Sequence, residues 1–153
     1  GTEALSTLRI EMGHIAGSEL DGRTIPYDNS LEGLVSKKKD FIGKRSLDRK
    51  AFIAEDRQKV VGVVPIDKKT SIPEGSHLVK DALAPIPNPK LGYISASCWS
   101  VEYDNPFSLA ILKDGKNMIG QKLFAMSPLK NKTIPVEIVS SHYVDPKGER
   151  VRS

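Results

Sequence analysis

Apolar and polar positions change rhythm once along this chain. In the opening residues, GTEALSTLRIEM, Leu5, Leu8 and Met12 recur at helical spacing. That spacing predicts an amphipathic, core-facing helix over Gly1–Met12, with Gly13 near its C-cap. Residues 14–43 lose any period: Asp21-Gly22 signals a turn, Pro26 breaks the pattern, and Asp28-Asn29-Ser30 is a polar cluster. A short apolar group, Leu31, Leu34 and Val35, precedes a lysine run, and Phe41-Ile42-Gly43 leads into a second predicted helix, Lys44–Phe52.

From about Arg57 the rhythm is that of strands. Lys59–Ile66 (KVVGVVPI) is rich in β-branched residues and predicts a strand. A turn at Pro73-Glu74-Gly75 precedes His77-Leu78-Val79, and Pro85, Pro87 and Pro89 mark a stiff loop. Leu91–Trp99 and Phe107–Leu112 predict two further strands, flanking a loop from Ser100 to Pro106 in which Trp99 and Tyr103 are candidate interface aromatics. Asp114-Gly115 predicts a two-residue hairpin into Met118–Met126. Thr133–Val139 alternates cleanly, and Pro135 predicts an edge strand or a bulge there. Together these give an α+β chain: a helical, loop-rich N-terminal segment followed by a small antiparallel β-barrel of five or six strands.

Composition narrows the function classes. With 39% hydrophobic and 27% charged residues among 153, the chain reads as a soluble globular protein, and no apolar run approaches the ~18 residues of a membrane span. The net charge of +4 is mild, and only 6% of residues are aromatic. That argues against a nucleic-acid surface built on stacking, and leaves Lys37-Lys38-Lys39 as a solvated face. A lone cysteine, Cys98, excludes a disulfide framework and reads as a small core residue in a reducing, cytoplasmic setting.

Chemistry-bearing motifs are absent. His14, His77 and His142 lie far apart without a ligand partner at a metal-binding offset, so no metal is expected. No glycine-rich phosphate loop occurs, and Ser95-Ala96-Ser97-Cys98 lacks the glycines of a nucleophile elbow. A domain that opens on a core-facing helix and shows no complete active site is expected to be part of a larger assembly.

Several stretches do resemble a known family. Leu8-Arg9-Ile10-Glu11-x-Gly13, Gly17-x-Glu19-Leu20-Asp21, Ile25-Pro26-x-Asp28 and Asp40-Phe41-Ile42-Gly43-Lys44 resemble the end of the folate-binding region in the aminomethyltransferase (glycine-cleavage T-protein) superfamily. Leu91-Gly92-Tyr93-Ile94-Ser95-Ala96, Leu109-Ala110-Ile111-Leu112 and Ile119-Gly120 resemble its C-terminal barrel. Finer details, Gly13-His14-Ile15-Ala16-Gly17 through Thr24 and Tyr143-x-Asp145-Pro146-x-Gly148-Glu149-Arg150, are most similar to the alpha-subunit family of heterotetrameric sarcosine oxidases.

The resemblance implies residues 1–56 as the end of a folate-binding domain and 57–153 as the barrel domain. It implies oxidative demethylation of sarcosine, with transfer of the one-carbon unit to tetrahydrofolate, in a cytoplasmic complex with beta, gamma and delta subunits. NAD, FAD and FMN would be held by other parts of that complex and by a missing N-terminal part of alpha. No catalytic residue is assigned here. Arg9, Glu11 and Tyr143 are the implied folate-side residues, since a desolvated pterin needs a carboxylate and a glutamate tail a cation. The folate-contacting arginine of aminomethyltransferases falls four positions before Arg9, where this chain has Leu5. The alternatives are a folate-dependent aminomethyltransferase or demethylase without flavin, and a non-catalytic basic barrel module.

Overall fold

The computed structural model describes residues 1–85, 87–150 and 152–153. Helix α1 (Thr2–Glu11) opens the chain, a 3-10 turn follows at Glu32–Leu34, and α2 (Lys44–Leu47) and α3 (Lys50–Ile53) are single turns. Six strands come next: β1 (Lys59–Pro65), β2 (His77–Val79), β3 (Gly92–Ser100), β4 (Asn105–Leu112), β5 (Lys122–Ser127) and β6 (Lys132–Val139). All pairs are antiparallel, and the order β1-β4-β3-β2-β5-β6 closes into a barrel. The expected α+β architecture is the one observed, and no helix among the described residues is long and apolar enough to cross a membrane.

The strands that close this barrel have two buried faces in its β1-β4-β3 half. Val61, Val63, Leu78, Ile94, Ala110, Leu112, Val136 and Ile138 fill the interior. On the outside, Val60, Val64, Phe107, Leu109 and Ile111 form a second cluster with Ile10 of α1 and Tyr143. Every residue of β4 is therefore buried, because the N-terminal segment covers the face that a free barrel would show to water. A bulge in β3 at Ser95 shifts its register against β4. The extra residue turns Ala96 onto the outer face although Ile94, two positions earlier, points inward.

Four local expectations need correction. Leu5 and Leu8 are 68% and 58% exposed, whereas Ile10 and Glu11 are the buried residues of α1. The helix meets the barrel only through its last turn. Lys44–Phe52 is broken at Arg49, whose φ of −63° and ψ of 139° are extended, and neither short helix buries a residue that would reward continuation. Asp114 does adopt the left-handed conformation of a turn (φ 55°), but β4 and β5 do not pair. Closure sends β5 across to β2 and β6, so residues 113–121 form a crossover. Hairpins instead join β3 to β4, with a turn confined to Val101–Asp104, and β5 to β6.

Pro135 is the fourth. β6 is bonded on both sides, to β5 and to β1, so it is not an edge strand. The β1 ladder ends at Pro65 opposite Val136, and Pro135 offers its carbonyl to the Ile66 N–H just beyond, at 3.0 Å. Its missing N–H falls past the last rung, where no acceptor is deprived.

Candidate functional site

α1 ends where three segments meet: its own last turn, the β3–β4 hairpin turn, and residues 140–145. The helix stops in a Schellman motif, with the Gly13 N–H donating to the Ile10 carbonyl (3.0 Å) and the His14 N–H to the Arg9 carbonyl (2.8 Å). Gly13 has φ of +71°, and a Cβ on it would approach the Ser141 carbonyl oxygen to 2.6 Å. Glycine here lets the C-terminal segment cross the helix end, where the Val144 N–H donates to the Glu11 carbonyl at 3.0 Å.

Glu11 is 4% exposed. Its Oε1 accepts from the Ser100 hydroxyl at 2.6 Å and from the Glu102 N–H at 3.5 Å. No cation pairs with it among the described residues. Tyr143 stacks on Phe107 (ring centroids 4.2 Å apart, 5° between planes) and meets Tyr103 edge-on at 4.7 Å. Its hydroxyl lies 3.2 Å from the Asn105 amide nitrogen, which donates to it. Glu11 and Tyr143 thus converge on one hairpin turn, Glu11 from the helix and Tyr143 from the C-terminal segment.

Arg9 is engaged elsewhere. Its Nη1 donates to Glu19 Oε2 at 2.9 Å and to the His14 carbonyl at 3.4 Å. Glu19 is fully buried and also accepts from the Ala16 N–H (2.8 Å) and the Ser18 hydroxyl (2.9 Å). Burial raises the Glu19 pKa, but the neighbouring Ser95 hydroxyl, hydrogen bonds from Ala16 and Ser18 and the Arg9 charge outweigh it and hold it below the ordinary value. Glu19 belongs to one of the family-like motifs, but its role as the anchor of Arg9 depends on a loop path that no local pattern reveals. The same holds for Ser100 and Asn105, which end and begin neighbouring strands.

Cys98 lies in the outer cluster, half-buried. Desolvation first, then the Glu11 charge, push its thiol up to about 12, with Arg9 pulling weakly the other way. It is a packed, unreactive thiol. Trp99 donates from its indole N–H to Asp104 at 3.1 Å and, like Tyr103, is half-exposed at this turn.

Two clefts lie apart from these residues. One of about 560 Å³ is bordered by Tyr27, Phe52, Ile53, Lys116 and His142. The other, of about 590 Å³, is bordered by Arg23, Lys90, Tyr93 and Lys113. Neither is lined by Arg9, Glu11 or Tyr143. Among the described residues, no three His, Cys, Asp or Glu side chains gather where they could hold a metal ion.

No protein-family model matches the sequence. Individual proteins do. The chain is 37% identical, over 99% of its length, to "Sarcosine oxidase subunit alpha" of Rhizobium meliloti (strain 1021), of which it spans 15%. It is 37% identical over 98% of its length to the protein of the same name from Corynebacterium sp. (strain U-96), spanning 16% of it. A "Probable aminomethyltransferase, mitochondrial" of Schizosaccharomyces pombe is 23% identical across 95% of the chain, which spans 36% of that protein. In structure, the glycine cleavage system aminomethyltransferase T from Bartonella henselae superposes with a TM-score of 0.72 at 20% identity, covering 94% of this chain and 38% of that one. The chain therefore has the aminomethyltransferase fold and is homologous, end to end, to a segment about a sixth as long as the sarcosine oxidase alpha subunits.

Proposed function

We propose that this chain serves as the C-terminal segment of a sarcosine oxidase alpha subunit, where it shapes the folate side of the active site. The observation that carries the reading is the 37% identity to alpha subunits across 98–99% of the chain. On this reading residues 1–56 end a folate-binding domain and 57–153 form its barrel neighbour. The enzyme oxidises the N-methyl group of sarcosine at a flavin and passes the one-carbon unit to tetrahydrofolate. NAD, FAD and FMN belong to the rest of alpha and to the beta, gamma and delta partners, in the cytoplasm.

The residues present offer the charge types a folate needs, but they line no common cleft and Arg9 stands apart from Glu11 and Tyr143. Among the described residues only Nη1 of Arg9 is engaged, which leaves Nε and Nη2 as donors toward a tail carboxylate. Glu11 lacks a cation and has no hydrogen bond at Oε2, so it can accept from pterin N–H groups. Tyr143 offers an aromatic edge beside Glu11, at the same hairpin turn. These three residues bind and orient; the chain supplies no redox group of its own.

The test compares the assembled enzyme with Glu11→Gln under tetrahydrofolate. Without a seated folate the oxidised amine hydrolyses and releases formaldehyde, so the variant is expected to keep sarcosine-dependent peroxide formation and release more formaldehyde. Unchanged partition would remove Glu11 from the site. Sarcosine turnover by the purified 153-residue chain alone would overturn the reading as a segment.

A further inference from the structure

The Glu11 carboxylate is held by one oxygen only. Oε1 accepts from the Ser100 hydroxyl at 2.6 Å and, at the limit of hydrogen-bond reach, from the Glu102 N–H at 3.5 Å. Oε2 carries no hydrogen bond among the described residues. Glu11 and Ser100 are both buried, so water does not compete for the bond between them. Oε2 itself is not sealed: among the described residues, the side-chain polar atom that is both buried and unpartnered is Asn29 Oδ1. The oxygen left without a bond is therefore the one that reaches the surface.

The Ser100 hydroxyl is not free to turn away. It accepts from the Tyr103 N–H at 3.3 Å, so a lone pair is taken inside the turn and its proton points at Glu11. Ser100 ends β3 opposite Asn105, which opens β4, so the strand ladder fixes its place. A hydroxyl donating to a carboxylate at this distance makes a strong, charge-assisted bond. Tyr103, whose N–H orients Ser100, also meets the Tyr143 ring edge-on at 4.7 Å, so one turn orients both Glu11 and Tyr143. A loose glutamate can swing either oxygen toward a donor. One pinned at its inner oxygen offers a single oxygen in a single place, and the cost of ordering it is met before a ligand arrives.

We propose that Ser100 is a positioning residue: by pinning Oε1 of Glu11 inside the hairpin turn, it makes Glu11 a one-oxygen acceptor whose Oε2 receives a single pterin N–H. This rests on the reading of Glu11 as the pterin acceptor. Ser100 acts only through Glu11 and touches no ligand itself.

Equilibrium binding of tetrahydrofolate to the assembled enzyme tests this with Ser100→Ala, Ser100→Cys, Glu11→Gln and the Ser100→Ala, Glu11→Gln double variant. Ser100→Ala is expected to raise Kd roughly tenfold, because the acceptor loses the bond that holds it in place. Ser100→Cys fills nearly the same space with a much weaker donor, so it should weaken binding almost as much as alanine. A role in packing alone would leave Ser100→Cys at the wild-type Kd. The double variant should bind no more weakly than Glu11→Gln by itself, since the two changes remove one interaction. If Ser100→Ala prevents assembly, Ser100→Cys alone and combined with Glu11→Gln carries the same comparison. With Glu11→Gln weakening binding, a wild-type Kd in Ser100→Cys, or losses that multiply in the double variant, would overturn this inference and leave the reading of Glu11 standing. A wild-type Kd in Glu11→Gln sinks the reading of Glu11 itself, and the role of Ser100 with it.

Discussion

Arg57 grips Asp28 with two hydrogen bonds, from Nε to Oδ1 at 2.6 Å and from Nη2 to Oδ2 at 2.9 Å, across 29 residues of sequence. Asp28 is 1% exposed and also accepts from the Ile25 N–H and the Gln58 amide, while its carbonyl accepts from the Val60 N–H that opens β1. Arg57 rests over the Phe52 ring, 4.9 Å from its centroid. This pair fastens the irregular N-terminal segment to the first strand.

Removing Arg57 leaves a buried carboxylate without its cation. Arg57→Met is expected to cost about 3 kcal/mol, the low end for a broken buried pair, since the arginine side chain keeps 19% exposure. Asp28→Asn retains volume but strands the Arg57 cation and turns an amide N–H toward donors, so it too should destabilise. Urea unfolding at pH 7 checks both. Equal midpoints for Arg57→Met and wild type would show that the pair contributes nothing.

Glu19 makes stability depend on acid. Its folded pKa is below the unfolded value of about 4.3, so the unfolded chain binds the extra proton first. The contribution is complete above pH 4.3 and is lost as pH falls through the folded pKa. The urea midpoint is therefore expected to decline on acidification below pH 4.3, and Glu19→Gln should flatten that decline while lowering stability at pH 7. Asp67, held at about 2 by Thr70 and by the N–H groups of Thr70 and Lys69, leaves a residual acid sensitivity in the variant. A variant with the wild-type acid slope would exclude Glu19 as a source.

The strands were legible in the sequence because local signals and tertiary packing agree in them. KVVGVVPI and LGYISASCW are strand-forming on any surface, and both sit in the doubly covered half of the barrel. What failed depends on partners distant in sequence. Leu5, Leu8 and Met12 carry a helical period, yet the period cannot say which face the barrel takes, and Ile10 and Glu11 are the residues buried. Asp114-Gly115 has the turn conformation its sequence predicts, but closure of the barrel, not the turn, chooses the neighbours of β5. The site behaves likewise: the bond from Ser100 to Glu11 joins positions 89 apart, and only the folded hairpin brings them together.

Gly62 is a point of close backbone approach at the outer cluster. A Cβ there would meet the Phe107 ring at 2.8 Å and collide with the Ser140 carbonyl. β1 is bonded to β4 and β6 on its two sides at this residue, so the backbone cannot withdraw. Gly62→Ala is expected to destabilise by about 1–3 kcal/mol through overpacking. Gly33, where a methyl group would find nothing within 4 Å, should accept alanine within about 0.5 kcal/mol. Thermal melts of both variants decide the point, and a neutral Gly62→Ala would mean that both the Phe107 ring and the Ser140 carbonyl can move aside.

Cys98 reports on Glu11 without any ligand. With its thiol pushed up to about 12, mainly by desolvation and then by the Glu11 charge, only about one molecule in ten thousand carries thiolate at pH 8. Disulfide-exchange labelling of the native chain should therefore run far slower than that of the unfolded chain. Glu11→Gln removes the second cause and keeps the first, so labelling should accelerate yet stay slower than in the unfolded chain. The pH at half-maximal labelling should move down in the variant, with unchanged urea unfolding showing that the fold has not loosened around the thiol. If Glu11→Gln leaves the labelling profile where it is, the Glu11 side chain does not act on the Cys98 thiol.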